Sequence, residues 1–76
     1  MGIVSIKWPY DDAEQYEGLM ADIRSAIQIA RDYGMDHRFT SSSSFIEWRC
    51  DQEIAIKIKT EIESQFIKLE VKWREK

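Results

Sequence analysis

The side chains able to do covalent chemistry are few and poorly placed for it. Cys50 is the one thiol and His37 the one imidazole in 76 residues. A nucleophile needs a base within hydrogen-bond reach and a third group to orient that base. Cys50 instead alternates with Ile46 and Trp48. That spacing puts it on the inward side of an extended segment, where a thiol serves as a small hydrophobe. His37 follows a helical pattern in a polar stretch and is expected in solvent. A single Cys excludes an internal disulfide and a cysteine-based zinc site, and a single His removes the usual imidazole ligand sets. Asp11 and Asp12 could share a cation, but carboxylates ahead of an apolar-periodic stretch more simply cap a helix. The glycines at 2, 18 and 34 lack the spacing of a phosphate loop. The Ser41–Ser44 run has no neighbouring base. The expectation is a non-enzymatic chain with no cofactor and no metal.

Charge is the next source of chemistry. Lys and Arg total 11 and Asp and Glu 14, giving a net charge of −3 and a pI near 5.1. A strongly basic nucleic-acid binder is excluded as a description of the whole chain. The halves differ: residues 1–36 hold three basic and seven acidic groups, residues 37–76 eight and seven. No apolar run reaches the roughly 18 residues of a membrane span. The unpaired Cys and the lack of a leader-like segment make the cytoplasm the expected compartment. At this length one domain over residues 1–76 is expected.

The elements that must position these groups follow from periodicity. Val4, Ile6 and Trp8 alternate with Ile3, Ser5 and Lys7, which predicts a strand over 2–8 ended by Pro9. Residues 11–33 predict a helix, with Asp11 and Glu14 as a capping box and Gly34 as the left-handed terminator. Its apolar stripe is Tyr16, Leu19, Met20, Ile23, Ala26, Ile27 and Ala30. Residues 35–44 carry loop signals, with a short extended piece around Phe39.

Residues 53–66 fit two templates. As a helix, Ile54, Ala55, Ile58, Ile62 and Phe66 share a face and Ile56 does not. As a strand, Ile54, Ile56, Ile58, Thr60 and Ile62 share a face, all β-branched. Ile46, Trp48 and Cys50 alternate before the segment, and Ile67, Leu69, Val71 and Trp73 after it. Pairing the strands places Glu61 opposite Lys68, Lys59 opposite Glu70 and Glu47 opposite Lys57, and complementary cross-strand charges stabilise a ladder. The preferred expectation is therefore an α+β fold of order β-α-β-β-β, one long helix on a four-stranded, mostly antiparallel sheet. The alternative is a ferredoxin-like βαββαβ arrangement. The glycine-free turns 51–53 and 63–66 weigh against the meander.

Two candidate surfaces follow. Ile29 projects away from the helix stripe and Tyr33 lies at its margin, with Glu14, Asp22 and Asp32 around them. An apolar pair inside an acidic rim resembles a small interface core. The first functional expectation is a protein-binding module, a regulator or inhibitor of the kind phages also encode, acting on a protein partner such as a basic nucleic-acid-binding protein. The alternative is nucleic-acid binding through the outward sheet face by Phe45, Arg49, Lys57, Lys59 and Lys72. It is disfavoured because Glu47, Glu53, Glu61 and Glu70 are expected on the same face. Uncovered sheet edges on so small a chain make a homodimer a further expectation.

Overall fold

The first strand keeps its alternation of direction but not of exposure: Ser5, on the side opposite Val4 and Ile6, is also buried. Val4 and Ile6 are buried on one side, while Lys7 points out on the other. The chain is described from a computed structural model covering residues 1–9, 17–35, 38–42 and 44–75. Asp11, Asp12, Glu14, Tyr16 and His37 lie outside the described residues, and with them the expected start of the first helix. The order is β1 (Gly2–Lys7), α1 (Glu17–Asp32), β2 (Thr40–Ser41), β3 (Phe45–Cys50), α2 (Gln52–Gln65) and β4 (Glu70–Glu75). The class is α+β. Two helices pack on a four-stranded antiparallel sheet of order β2-β3-β1-β4. This is the connectivity of the βαββαβ alternative.

The α1 terminus forms as its sequence requires. Gly34 has φ +86°, a conformation that costs glycine nothing. Its N–H donates to the Arg31 carbonyl at 2.9 Å, and Met35 N–H donates to Ala30 at 2.9 Å. These two bonds make a Schellman motif, and Met35 folds back on the core as that motif favours. The helix buries Leu19, Ile23, Ala26 and Ala30, whereas Met20, expected in the stripe, is exposed.

Residues 52–65 are helical, so the preferred meander does not form. The reason lies in which isoleucines can be buried. Ala55, Ile58 and Ile62 are at most 2% exposed, and Ile54 and Phe66 pack beside them. A β-branched residue gives up about 0.5 kcal/mol of helix propensity, while burying one aliphatic side chain gains about 1.5–3 kcal/mol. The price of the helix is one exposed residue, Ile56. Local bonds agree. Ala55 N–H donates to the Asp51 carbonyl at 2.9 Å, and Thr60 and Ser64 hydroxyls return to the Ile56 and Glu61 carbonyls. Glu61 and Lys59 sit on α2, so neither faces Lys68 or Glu70 across a ladder as expected. The last strand is also shorter than expected, and Ile67, read as inward, is 98% exposed in the turn before β4.

With both helices on one side of the sheet, the core forms between them and the inner strand residues. Val4, Ile6, Ile46, Trp48, Cys50, Leu69 and Val71 meet the helices there, and Trp8 and Trp73 pack against the cluster. Trp73 lies so close over the first strand that a Cβ on Gly2 would collide with its ring and with the Arg74 carbonyl oxygen. The indole N–H donates to the Cys50 carbonyl at 3.0 Å. Glycine at position 2 is thus a packing requirement.

Helix α2 covers the exposed edge of β4 at one residue. Val71 N–H donates to Glu63 Oε2 at 2.9 Å, and Lys59 Nζ donates to the Val71 carbonyl at 3.1 Å. Lys59 and Glu63 also pair with each other at 3.1 Å. Two side chains one helical turn apart therefore occupy the outward backbone groups of an edge residue, a way of blunting an edge against another strand. Burial pushes the Glu63 carboxyl up, but the Val71 N–H and the Lys59 ammonium outweigh it and hold the group below its ordinary value. The opposite edge, β2, is two residues long.

Candidate binding face

Because both helices cover one side of the sheet, the other side is left to the alternate strand residues. Register fixes their neighbours. Ile3 lies between Arg49 and Arg74, Ser5 between Glu47 and Lys72, and Lys7 between Phe45 and Glu70. Thr40 extends the middle row beyond Glu47. Arg38 has the same parity as Thr40 and lines a hollow with Ile3, Thr40, Glu47 and Arg49. The helix-free face thus gathers Lys7, Arg38, Arg49, Lys72 and Arg74 against Glu47 and Glu70.

The middle of the face is organised around Glu47. Ser5 Oγ donates to its Oε2 at 3.2 Å, and an Arg74 guanidinium nitrogen lies 3.6 Å from the same oxygen. Lys72 pairs along its own strand with Glu70 at 3.2 Å. Both arrangements are exposed on the cation side, and exposed pairs hold little energy against a competing anion. Three shallow hollows open here. One of about 220 Å³ lies around Ile3 and Arg49. Another of about 290 Å³ lies at the far end, between Lys7, Trp8, Pro9, Lys68 and Glu70. A smaller one of about 140 Å³ is lined by Ser5, Lys7, Lys72 and Arg74.

The expected site residues are redistributed by α2. Phe45, Arg49 and Lys72 do lie on one face. Lys57 and Lys59 do not, because they belong to α2, and Lys59 is engaged at the β4 edge. Glu53 and Glu61 leave the face with them. The open side is therefore freer of carboxylates than the sequence suggested. Arg38 was missed; its period-2 spacing to Thr40 was the available signal.

The second expected surface is partly covered. Ile29, read as pointing outward, is half-buried and packs against the core, as does Tyr33. The cause is the neighbouring helix: the Tyr33 hydroxyl hydrogen-bonds Glu61 of α2, and that bond, with the carboxylate charge, raises the phenol pKa. Asp22 is half-buried and Asp32 exposed, the latter accepting from Gln28 at 3.1 Å. Helix α1 carries Glu17, Asp22 and Asp32 against Arg24 and Arg31. Glu14 lies outside the described residues.

Cys50 is buried at the end of β3, with its thiol donating to the Asp51 carbonyl at 3.4 Å. Burial first, and the Asp51 charge second, push its pKa up, opposite to what a reactive thiolate needs. Among the described residues no group of three or more His, Cys, Asp or Glu side chains could hold a metal ion. No helix among them is long and apolar enough to cross a membrane. Comparison with protein-family models, with curated proteins and with solved structures finds no match to this chain.

Proposed function

We propose that the chain is a non-catalytic binding module whose working surface is the helix-free face of the sheet, presented to an anionic macromolecule. The observation that carries this reading is the sorting of charge. A chain of net charge −3 collects five cations against two carboxylates on one face. A local field of that sign steers an anionic partner even when the whole molecule is acidic. Such a module acts by occupancy: it regulates or inhibits by covering what it binds. The acidic-rim reading of Ile29 and Tyr33 is the weaker one, because both side chains are partly engaged in packing within the chain.

Salt elution from immobilised heparin tests the reading. The wild type should be retained at low salt, and Arg49→Glu with Lys72→Glu should abolish retention. Lys57→Glu on α2, which changes the net charge in the same direction, should lower it only slightly. Equal losses from Arg49→Glu alone and from Lys57→Glu, or no retention of the wild type, would overturn the assignment of the face.

A further inference from the structure

We infer that the anionic partner is single-stranded nucleic acid, laid across the sheet between the two larger hollows; the inference rests on the binding-face reading above. Three features of the face favour it over a duplex or an acidic protein. The first is width. Four strands about 4.8 Å apart make a platform broader than a major groove of about 12 Å can admit, and both helices lie on the other side. A duplex would meet this surface only through its phosphates.

The second feature is interleaving. Phe45 stands beside Lys7, Ile3 between Arg49 and Arg74, and the Trp8–Pro9 hollow beside Lys7. Apolar surfaces alternate with cations along the face. A single strand matches that pattern, with bases to stack and phosphates to pair at regular intervals. An acidic peptide would use the cations and leave the aromatic surface unused. From Ile3 to Lys7 the strand rises about 13 Å, within a sheet platform that takes about two or three bases.

The third feature is Glu47. A carboxylate at the centre of a basic face repels phosphate, and Ser5 and Arg74 hold it there. The centre must therefore receive a base, with phosphates directed toward Arg49 and Arg74 at one end and Lys7 at the other. A carboxylate accepts from an exocyclic amino group, as on cytosine. Thymine has no such group. Glu47 thus favours cytosine over thymine above the middle row.

Fluorescence anisotropy at about 50 mM salt decides the matter, using end-labelled octamers of oligo-dC and oligo-dT, a duplex of mixed sequence and a labelled poly-glutamate peptide. Oligo-dC should bind, with oligo-dT several-fold weaker and the duplex weaker still. Phe45→Ala should weaken oligo-dC about tenfold, within the range that one stacked base supplies. Glu47→Gln, which keeps an acceptor for Ser5, should bring oligo-dC and oligo-dT closer together. Arg49→Ala should lower the salt slope by about one phosphate contact. Poly-glutamate binding as tightly as oligo-dC would overturn the nucleic-acid inference while leaving the binding face intact. Equal affinity for oligo-dC and oligo-dT would overturn the role of Glu47. No binding of any polyanion, heparin included, would remove the binding-face reading itself.

Discussion

Removing Glu63 should both destabilise the chain and open its longer sheet edge. In the folded state its carboxylate accepts from Val71 N–H at 2.9 Å and pairs with Lys59, which in turn holds the Val71 carbonyl. Hydrogen bonds to charged groups contribute about 1.5–3 kcal/mol. The Glu63 side chain is 33% exposed, so solvent screening places this one at the low end, about 1.5 kcal/mol, and the helix pair adds about 0.3–0.5 kcal/mol. Glu63→Ala should therefore cost about 2 kcal/mol, which lowers Tm by about 10 °C in a domain of this size. Glu63→Gln keeps an acceptor and should lose roughly half as much. The pH dependence adds a second readout. A carboxyl whose folded pKa is depressed contributes its stability above the unfolded pKa and loses it as pH falls through the folded one. The wild type should lose stability on acidification below the ordinary glutamate range, and Glu63→Gln should flatten that slope. Thermal denaturation at stepped pH measures both, and sedimentation equilibrium should show more self-association in Glu63→Ala than in wild type. An alanine variant melting within about 2 °C of wild type, with an unchanged acid slope, would refute the edge-closing role.

Gly2→Ala should destabilise by about 1–3 kcal/mol, the usual cost of overpacking, because the new methyl meets the Trp73 ring and the Arg74 carbonyl; urea denaturation followed by tryptophan fluorescence reads it. Ile58→Ala should cost about 2–5 kcal/mol and Ile67→Ala within about 0.5 kcal/mol, since one is fully buried and the other 98% exposed; denaturant midpoints reversing that order would contradict the helical assignment of residues 52–65. Spectrophotometric titration should show the Tyr33 phenol ionising above the ordinary tyrosine range, and Glu61→Gln should bring it down, because the Glu61 hydrogen bond and charge raise it.

The chain up to Cys50 is the more legible part. Inward Val4 and Ile6, the Gly34 terminator and the inward Trp48 and Cys50 all follow from residue type and spacing. The segment after it misleads because its isoleucines recur at both two and four residues, so burial alone does not choose a period. Its charges mislead in the same way. Lys59 and Glu63 are partners four apart on a helix, yet the same alternation of Lys and Glu yields plausible cross-strand matches when the segment is drawn extended. The binding face suffers directly from that choice. Drawing α2 as a strand adds Lys57 and Lys59 to the sheet and adds Glu53 and Glu61 beside them, so the same excess of cations is diluted among more carboxylates. Tyr33 and Ile29 look exposed for the same reason, since their second neighbour was missing.

The first strand is a central strand, and its partner on one side is the last. Gly2 pairs with Glu75 and Lys7 with Glu70, so this ladder closes a loop of nearly the whole chain. Loop closure of that span must be met before the pairing returns any stability, which slows folding relative to helical proteins of equal length. Any form of the chain with β4 undocked would present the ladder edge of β1 and leave Val71 and Trp73 out of the core, and such an edge is a template for pairing with another copy.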